Sequence, residues 1–139
     1  MSDAALQQWL TEYIKQNGGV AGTVHLRDAA GDAPLALKAA VNIPPKVQEI
    51  VAAIPKGKGM AGLAWERDEP VHTCNLKDDK SGDVRPGAKA VDANAAVAIP
   101  IHDAKGGIRG VVGIAYIGER DITSTELASL REQAERIPA

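Results

Sequence analysis

Apolar residues recur along the chain with two periods, one helical and one of extended strand. Leu6, Trp9, Leu10, Tyr13 and Ile14 fall at i, i+3, i+4, i+7 and i+8, which predicts an N-terminal amphipathic helix. Asn17-Gly18-Gly19 stops it. Thr23 to Arg27 alternates, with Val24 and Leu26 on one face. Leu35, Leu37, Ala39 and Val41 alternate again after a turn over 28–34, and the two runs predict a β-hairpin. Pro44-Pro45 opens a second helix with Val47, Ile50, Val51 and Ile54 as its stripe and Pro55 as its end. A short helix near Met60 to Arg67 and a strand from Val71 to Leu76 follow.

The stretch from Ala95 to Ile117 says most about the architecture. Val97, Ile99 and Ile101 alternate on one face, Asp103-Ala-Lys-Gly-Gly107 supplies turn chemistry, and a second strand returns. That strand carries Ile108, Val112, Ile114 and Tyr116 on its even face and Val111, Ala115 and Ile117 on its odd face. Apolar residues on both faces predict a central strand covered on both sides. The last helix is marked by Thr123 and Glu126 as a capping box, Ile122 and Leu127 as a staple, and a stripe of Leu127, Leu130, Ala134 and Ile137. The order helix, two strands, two helices, three strands, helix reads as one α+β domain over 1–139, with a central, mostly antiparallel sheet.

Composition narrows the functions. The 139 residues carry a net charge of −2, so nothing draws the chain to nucleic acid or a membrane surface. No apolar run is long enough to span a bilayer. The Met-Ser start reads as a native N-terminus, and it shows no export signal. Cys74 is the only cysteine, which rules out an internal disulfide and sets a cytoplasmic expectation. With no Phe and four aromatic residues in all, the chain is poorly supplied for stacking bases.

Few residues offer chemistry. Gly57-Lys-Gly-Met-Ala-Gly62 matches a dinucleotide fingerprint by letter, but a helix and Pro55 precede it where a strand is needed, so it reads as a tight turn that lets the next helix pack closely. Lys77 to Asp92 lacks apolar periodicity and balances its charges, as a solvated loop or a pocket lid would. Its carboxylates Asp78, Asp79 and Asp83 lack EF-hand spacing. His72 and Cys74 share a strand face, where an imidazole can activate a thiol, although a strand cysteine is more often a small buried hydrophobe. His25 and His102 belong to no motif and read as surface or edge residues. No nucleophile elbow, metalloprotease motif or metal set is present.

Three segments together resemble the GAF domain family. They are Gly57-Lys-Gly-Met-Ala-Gly-Leu-Ala-Trp-Glu-Arg-Asp-Glu-Pro-Val71, Ala95 to Ile101 with Gly106 to Gly113, and Ile122-Thr-Ser-Thr-Glu-Leu127. The resemblance runs over nearly the whole chain. It implies terminal helices on one sheet face and, on the other, a pocket side with short helices and a long loop. It also implies functions that range over cyclic-nucleotide, bilin, haem and amino-acid binding and, in one branch, free methionine sulfoxide reduction. That reductase branch places a cysteine just before the strand that ends in Pro. The matching Ala90 to Asn94 has none, and one cysteine leaves no resolving thiol. Bilin attachment and the Phe-containing cyclic-nucleotide signature are also unmatched.

The sequence therefore reads as a non-enzymatic small-molecule sensor acting through a signalling partner, with no catalytic residues, no metal and no assignable cofactor. Its pocket is expected between the sheet and the segments 60–67 and 77–92. Arg85, Asp92, Asn94, Tyr116 and His72 are the ligand-binding candidates. The alternatives are a redox switch or small enzyme using Cys74, related to the reductase branch, and a ligand-free interaction module. The two terminal stripes predict a homodimer.

Overall fold

The computed structural model describes residues 3–27, 33–73, 95–117 and 122–138. In chain order these form α1 (Asp3–Gln16), β1 (Ala21–Arg27), β2 (Leu35–Val41), α2 (Pro45–Ile50), β3 (Ala53–Ile54), α3 (Gly59–Arg67), β4 (Val71–Thr73), β5 (Ala95–His102), β6 (Ile108–Tyr116) and α4 (Ser124–Ala134). The strands make one six-stranded antiparallel sheet in the order β3-β2-β1-β6-β5-β4. β6 is central, as its two apolar faces predict. The β5–β6 turn is closed by Asp103, whose N–H donates to the Gly107 carbonyl at 2.8 Å and whose carboxylate accepts from the N–H groups of Lys105 and Gly107.

α1 and α4 lie on one face. Leu6, Leu10, Tyr13, Ile14, Leu130 and Ala134 are buried there against Val24, Val97, Ile99, Ile101, Val112 and Ile114. The N-terminal stripe is therefore mostly core, and Trp9, stacked on Tyr13 at 4.8 Å, is only partly buried. The Tyr13 hydroxyl donates to the Leu130 carbonyl at 3.0 Å, and Asn17 and Gln133 exchange amide hydrogen bonds, so the terminal helices are tied to each other. Thr123 accepts from the Glu126 N–H at 3.1 Å, the expected N-cap. β3 pairs only with Leu35 and Ala36, and beyond it the Gln7 amide takes over the edge of β2, bonding both the N–H and the carbonyl of Ala40.

Three expectations are corrected. The second helix ends at Ile50, and Ile54 belongs to β3; a two-residue strand carries too little alternation to be seen against a helical stripe. Leu35, Leu37, Ala39 and Val41 do not share a face. Val24 pairs with Ala39 and His25 with Leu37, so Lys38 is an extra residue that flips the register, and Leu35 packs under α3 instead. Ile108 likewise packs with Val111 and not with Val112, because a second irregularity pairs Ile101 with Gly110 and His102 with Ile108.

Candidate functional site

The other sheet face carries α2 and α3. α3 crosses the sheet from the β3 edge toward the β4 edge, packing on β5 and β6 on the way. Its start is fixed by the glycine motif. Gly57 and Gly59 adopt φ of 82 and 69, and a Cβ on Gly62 would lie 2.4 Å from the Pro55 carbonyl. The close-packing reading of this motif is thus what the fold uses. A strand, not a helix, precedes it, but β3 and β4 lie at opposite edges of an antiparallel sheet, which is not the parallel unit a dinucleotide needs. Trp65 is buried beneath α3, with Arg27 and Lys56 placed 5.8 and 5.7 Å from its ring centroid.

The floor below these helices is built from small residues in register. Ala21, Ala115 and Ala96 form one row across β1, β6 and β5, and Thr23, Gly113 and Ala98 form the next. Residues directly opposite on neighbouring strands share a face, so each row is a shallow trough. Large side chains on alternate positions of the same strands, Val97 and Ile114, serve the α1/α4 side. The result is a cavity of about 130 Å³ between sheet and helices. Its walls and roof are mostly Ile43, Val47, Val51, Ile54, Met60 and Ala61.

Among the described residues, three polar side chains line it. His25, expected at a surface or edge, is 2% exposed. It sits on the covered face of an inner strand, and the chain's alternation could not show that α2 would close over it. Its Nε2 lies 2.8 Å from the Val51 carbonyl at the end of α2, so Nε2 bears the proton and donates, joining the floor to the roof. The Thr23 hydroxyl makes no hydrogen bond among the described residues and is partly exposed although β1 is an inner strand. Lys58, just before α3, is exposed.

Of the residues singled out from sequence, Tyr116 is 2% exposed in the α1/α4 core and His72 is exposed on β4, paired with Val97. Neither lines the cavity. Arg85, Asp92, Asn94 and Cys74 lie outside the described residues. The cavity's own signal was in the sequence, as small residues alternating with large ones at 95–99 and 112–115, but it is a pattern of absence and reads as ordinary strand until the face is known.

His102, expected as an isolated surface or edge residue, closes the far end of β5. Its Nε2 lies 2.6 Å from Asp68 and its Nδ1 2.6 Å from Glu135. Only the imidazolium can donate to both carboxylates, and the Glu135 hydrogen bond, with Asp68 reinforcing it, raises the His102 pKa above its ordinary value. Asp68 caps α3 in the left-handed region at φ 53, and Glu135 caps α4. One side chain thus links the cavity helix to the terminal helix. Among the described residues, no group of three or more potential ligands could hold a metal ion, and no helix is long and apolar enough to cross a membrane.

Comparison with known proteins places this geometry. The sequence profile of the GAF domain matches residues 2–137, and the chain belongs to that family. No curated protein sequence matches it significantly. Among solved structures it is similar to a type II free methionine-R-sulfoxide reductase from Thermoplasma acidophilum, with a TM-score of 0.72, 16% identity, and coverage of 96% of this chain and 86% of that one. It is also similar to an NreA protein mutated in its nitrate binding site, from Staphylococcus aureus, at a TM-score of 0.70 and 17% identity over 88% of this chain and 91% of that one. The GAF domain of an Acinetobacter phosphoenolpyruvate-protein phosphotransferase matches at a TM-score of 0.64 and 17% identity, covering 96% and 90%. At such identities the likeness is one of fold.

Proposed function

We propose that the chain is a non-enzymatic sensor that holds a small molecule between the sheet and helices α2 and α3 and passes its state to a protein partner. The observation that carries this reading is the pair of small-residue rows beneath α2 and α3. A packed core would fill that space with branched side chains, since interiors tolerate few voids larger than a water molecule. His25 and the His102 pairings supply a route outward, because the first joins the floor to the end of α2 and the second joins α3 to α4. The single cysteine favours a cytoplasmic setting.

The reading is tested by native mass spectrometry of freshly purified protein, followed by thermal melts against a mixed small-molecule library. A retained adduct, or stabilisation by a library member that the cavity-filling Ala98→Leu variant loses, supports it. A clean apo mass with no stabilising compound sinks it. The same spectrum reports the proposed homodimer. That proposal rests on Trp9 alone of the N-terminal stripe, since the other four residues are buried within the chain. The activity relationship to the sulfoxide reductases turns on Cys74; turnover with a dithiol, lost in Cys74→Ser, would replace the sensor reading with the enzyme one.

A further inference from the structure

The size and lining of the cavity also restrict what it can hold, given the sensor reading on which this inference rests. A cavity of about 150 Å³ lined by aliphatic and aromatic side chains admits a benzene molecule. The 130 Å³ here is of that order. It lies well below the roughly 300–1,000 Å³ of pockets for drug-sized ligands.

The lining decides the charge. Among the described residues, the lining includes no carboxylate and no arginine, and its one cationic side chain, Lys58, belongs to an exposed residue. An ion moved onto the Ala96, Ala98, Gly113 and Ala115 floor would lose hydration with no buried counter-charge among the described lining residues to replace it. A single hydroxyl is a different case. The Thr23 hydroxyl stands in the trough between Ala40 and Gly113, partly exposed and without a hydrogen bond among the described residues, beside the buried ring of His25. It can donate or accept. We propose that the ligand is uncharged and compact, with about six to eight non-hydrogen atoms. It is apolar apart from one hydroxyl-type group that meets Thr23, the chemistry of a phenol or a short branched alcohol.

The first turn of α3 also opens on the cavity. That feature and Lys58 would favour an anion, so anions form the opposing arm of the test. The probes are phenol, toluene, benzoate, isobutyrate and nitrate, titrated at pH 7 into the full chain with methyl-labelled Ala, Ile, Val and Met. Phenol is neutral at that pH, by analogy with the tyrosine side chain, whose pKa is about 10. The expected result is saturable shifts at Val51, Ile54, Met60 and Ala98 with phenol, and weaker or no shifts with the anions. Thr23→Val should weaken phenol about tenfold and leave toluene unchanged. Ala98→Leu should abolish binding of both, with Ala96→Val as the smaller filling change should the first variant fail to fold.

If an anion binds these methyls as tightly as phenol or more tightly, the ligand class is overturned and the sensor site stands. The ligand class is equally overturned if Thr23→Val leaves phenol affinity unchanged. If no probe of either charge moves the cavity methyls, both the ligand class and the site fall.

Discussion

Replacing His102 by Gln should remove a pH-dependent part of the stability and uncouple α3 from α4. The native side chain is held 2.6 Å from both Asp68 and Glu135, and the His102 N–H also donates to Glu135 at 2.9 Å. The two carboxylates are 55% and 42% exposed, so solvent screens much of the attraction. Two such pairs together contribute about 1 kcal/mol. Because the folded pKa is raised above that of the unfolded chain, this stability is fully present below the ordinary histidine pKa of about 6.5. It is lost as pH rises through the folded pKa. Thermal melts of both proteins at pH 5.5 and pH 9 read it directly. For a chain of this length, 1 kcal/mol corresponds to about 3–4 °C in Tm. The gap between wild type and His102→Gln should approach that value at pH 5.5 and shrink at pH 9. A gap that is equal at the two pH values, or larger at pH 9, would refute the imidazolium link. Asp68→Asn should reproduce part of the loss at pH 5.5, since it leaves the Glu135 contacts in place.

Other outcomes follow from the packing. Gly62→Ala should lower stability by about 2 kcal/mol, measured by urea unfolding, because the new methyl meets the Pro55 carbonyl, which belongs to the backbone and cannot rotate away. Thr123→Ala should cost about 1 kcal/mol, read in the same assay, through loss of the bond to the Glu126 N–H. The Tyr13 phenol, buried and close to Tyr116, is held well above its ordinary pKa, burial being the larger cause. Its stabilising contribution is therefore intact below pH 10 and declines only in stronger alkali. An absorbance titration compared with Tyr13→Phe should show no native phenolate from this residue until the protein unfolds.

Much of the architecture was legible because it is written locally. The α1 stripe, the Asp103 turn, the two apolar faces of β6 and the Thr123 cap each occupy a few neighbouring residues whose spacing decides the outcome. The resemblance to the GAF family was carried by three segments, Gly57 to Val71, Ala95 to Ile101 with Gly106 to Gly113, and Ile122 to Leu127, and the family profile matches nearly the whole chain. What the sequence could not yield depends on partners far along the chain. The extra residue Lys38 is invisible until β1 supplies the opposing register, and it alone turns Leu35 away from Ala39. His25 looks like a polar position on an alternating strand. It becomes a buried cavity residue only because α2 brings the Val51 carbonyl to it across 26 positions. His102 stands 34 residues from Asp68 and 33 from Glu135, and no spacing rule joins three such residues. The cavity is the same case in reverse. Ala96, Ala98, Gly113 and Ala115 carry no chemistry singly, and they enclose space only when strand pairing sets them side by side and two helices close over them. Local periodicity marks where helices and strands form; only the assembled sheet and its covering helices decide which of their positions are enclosed, and against what.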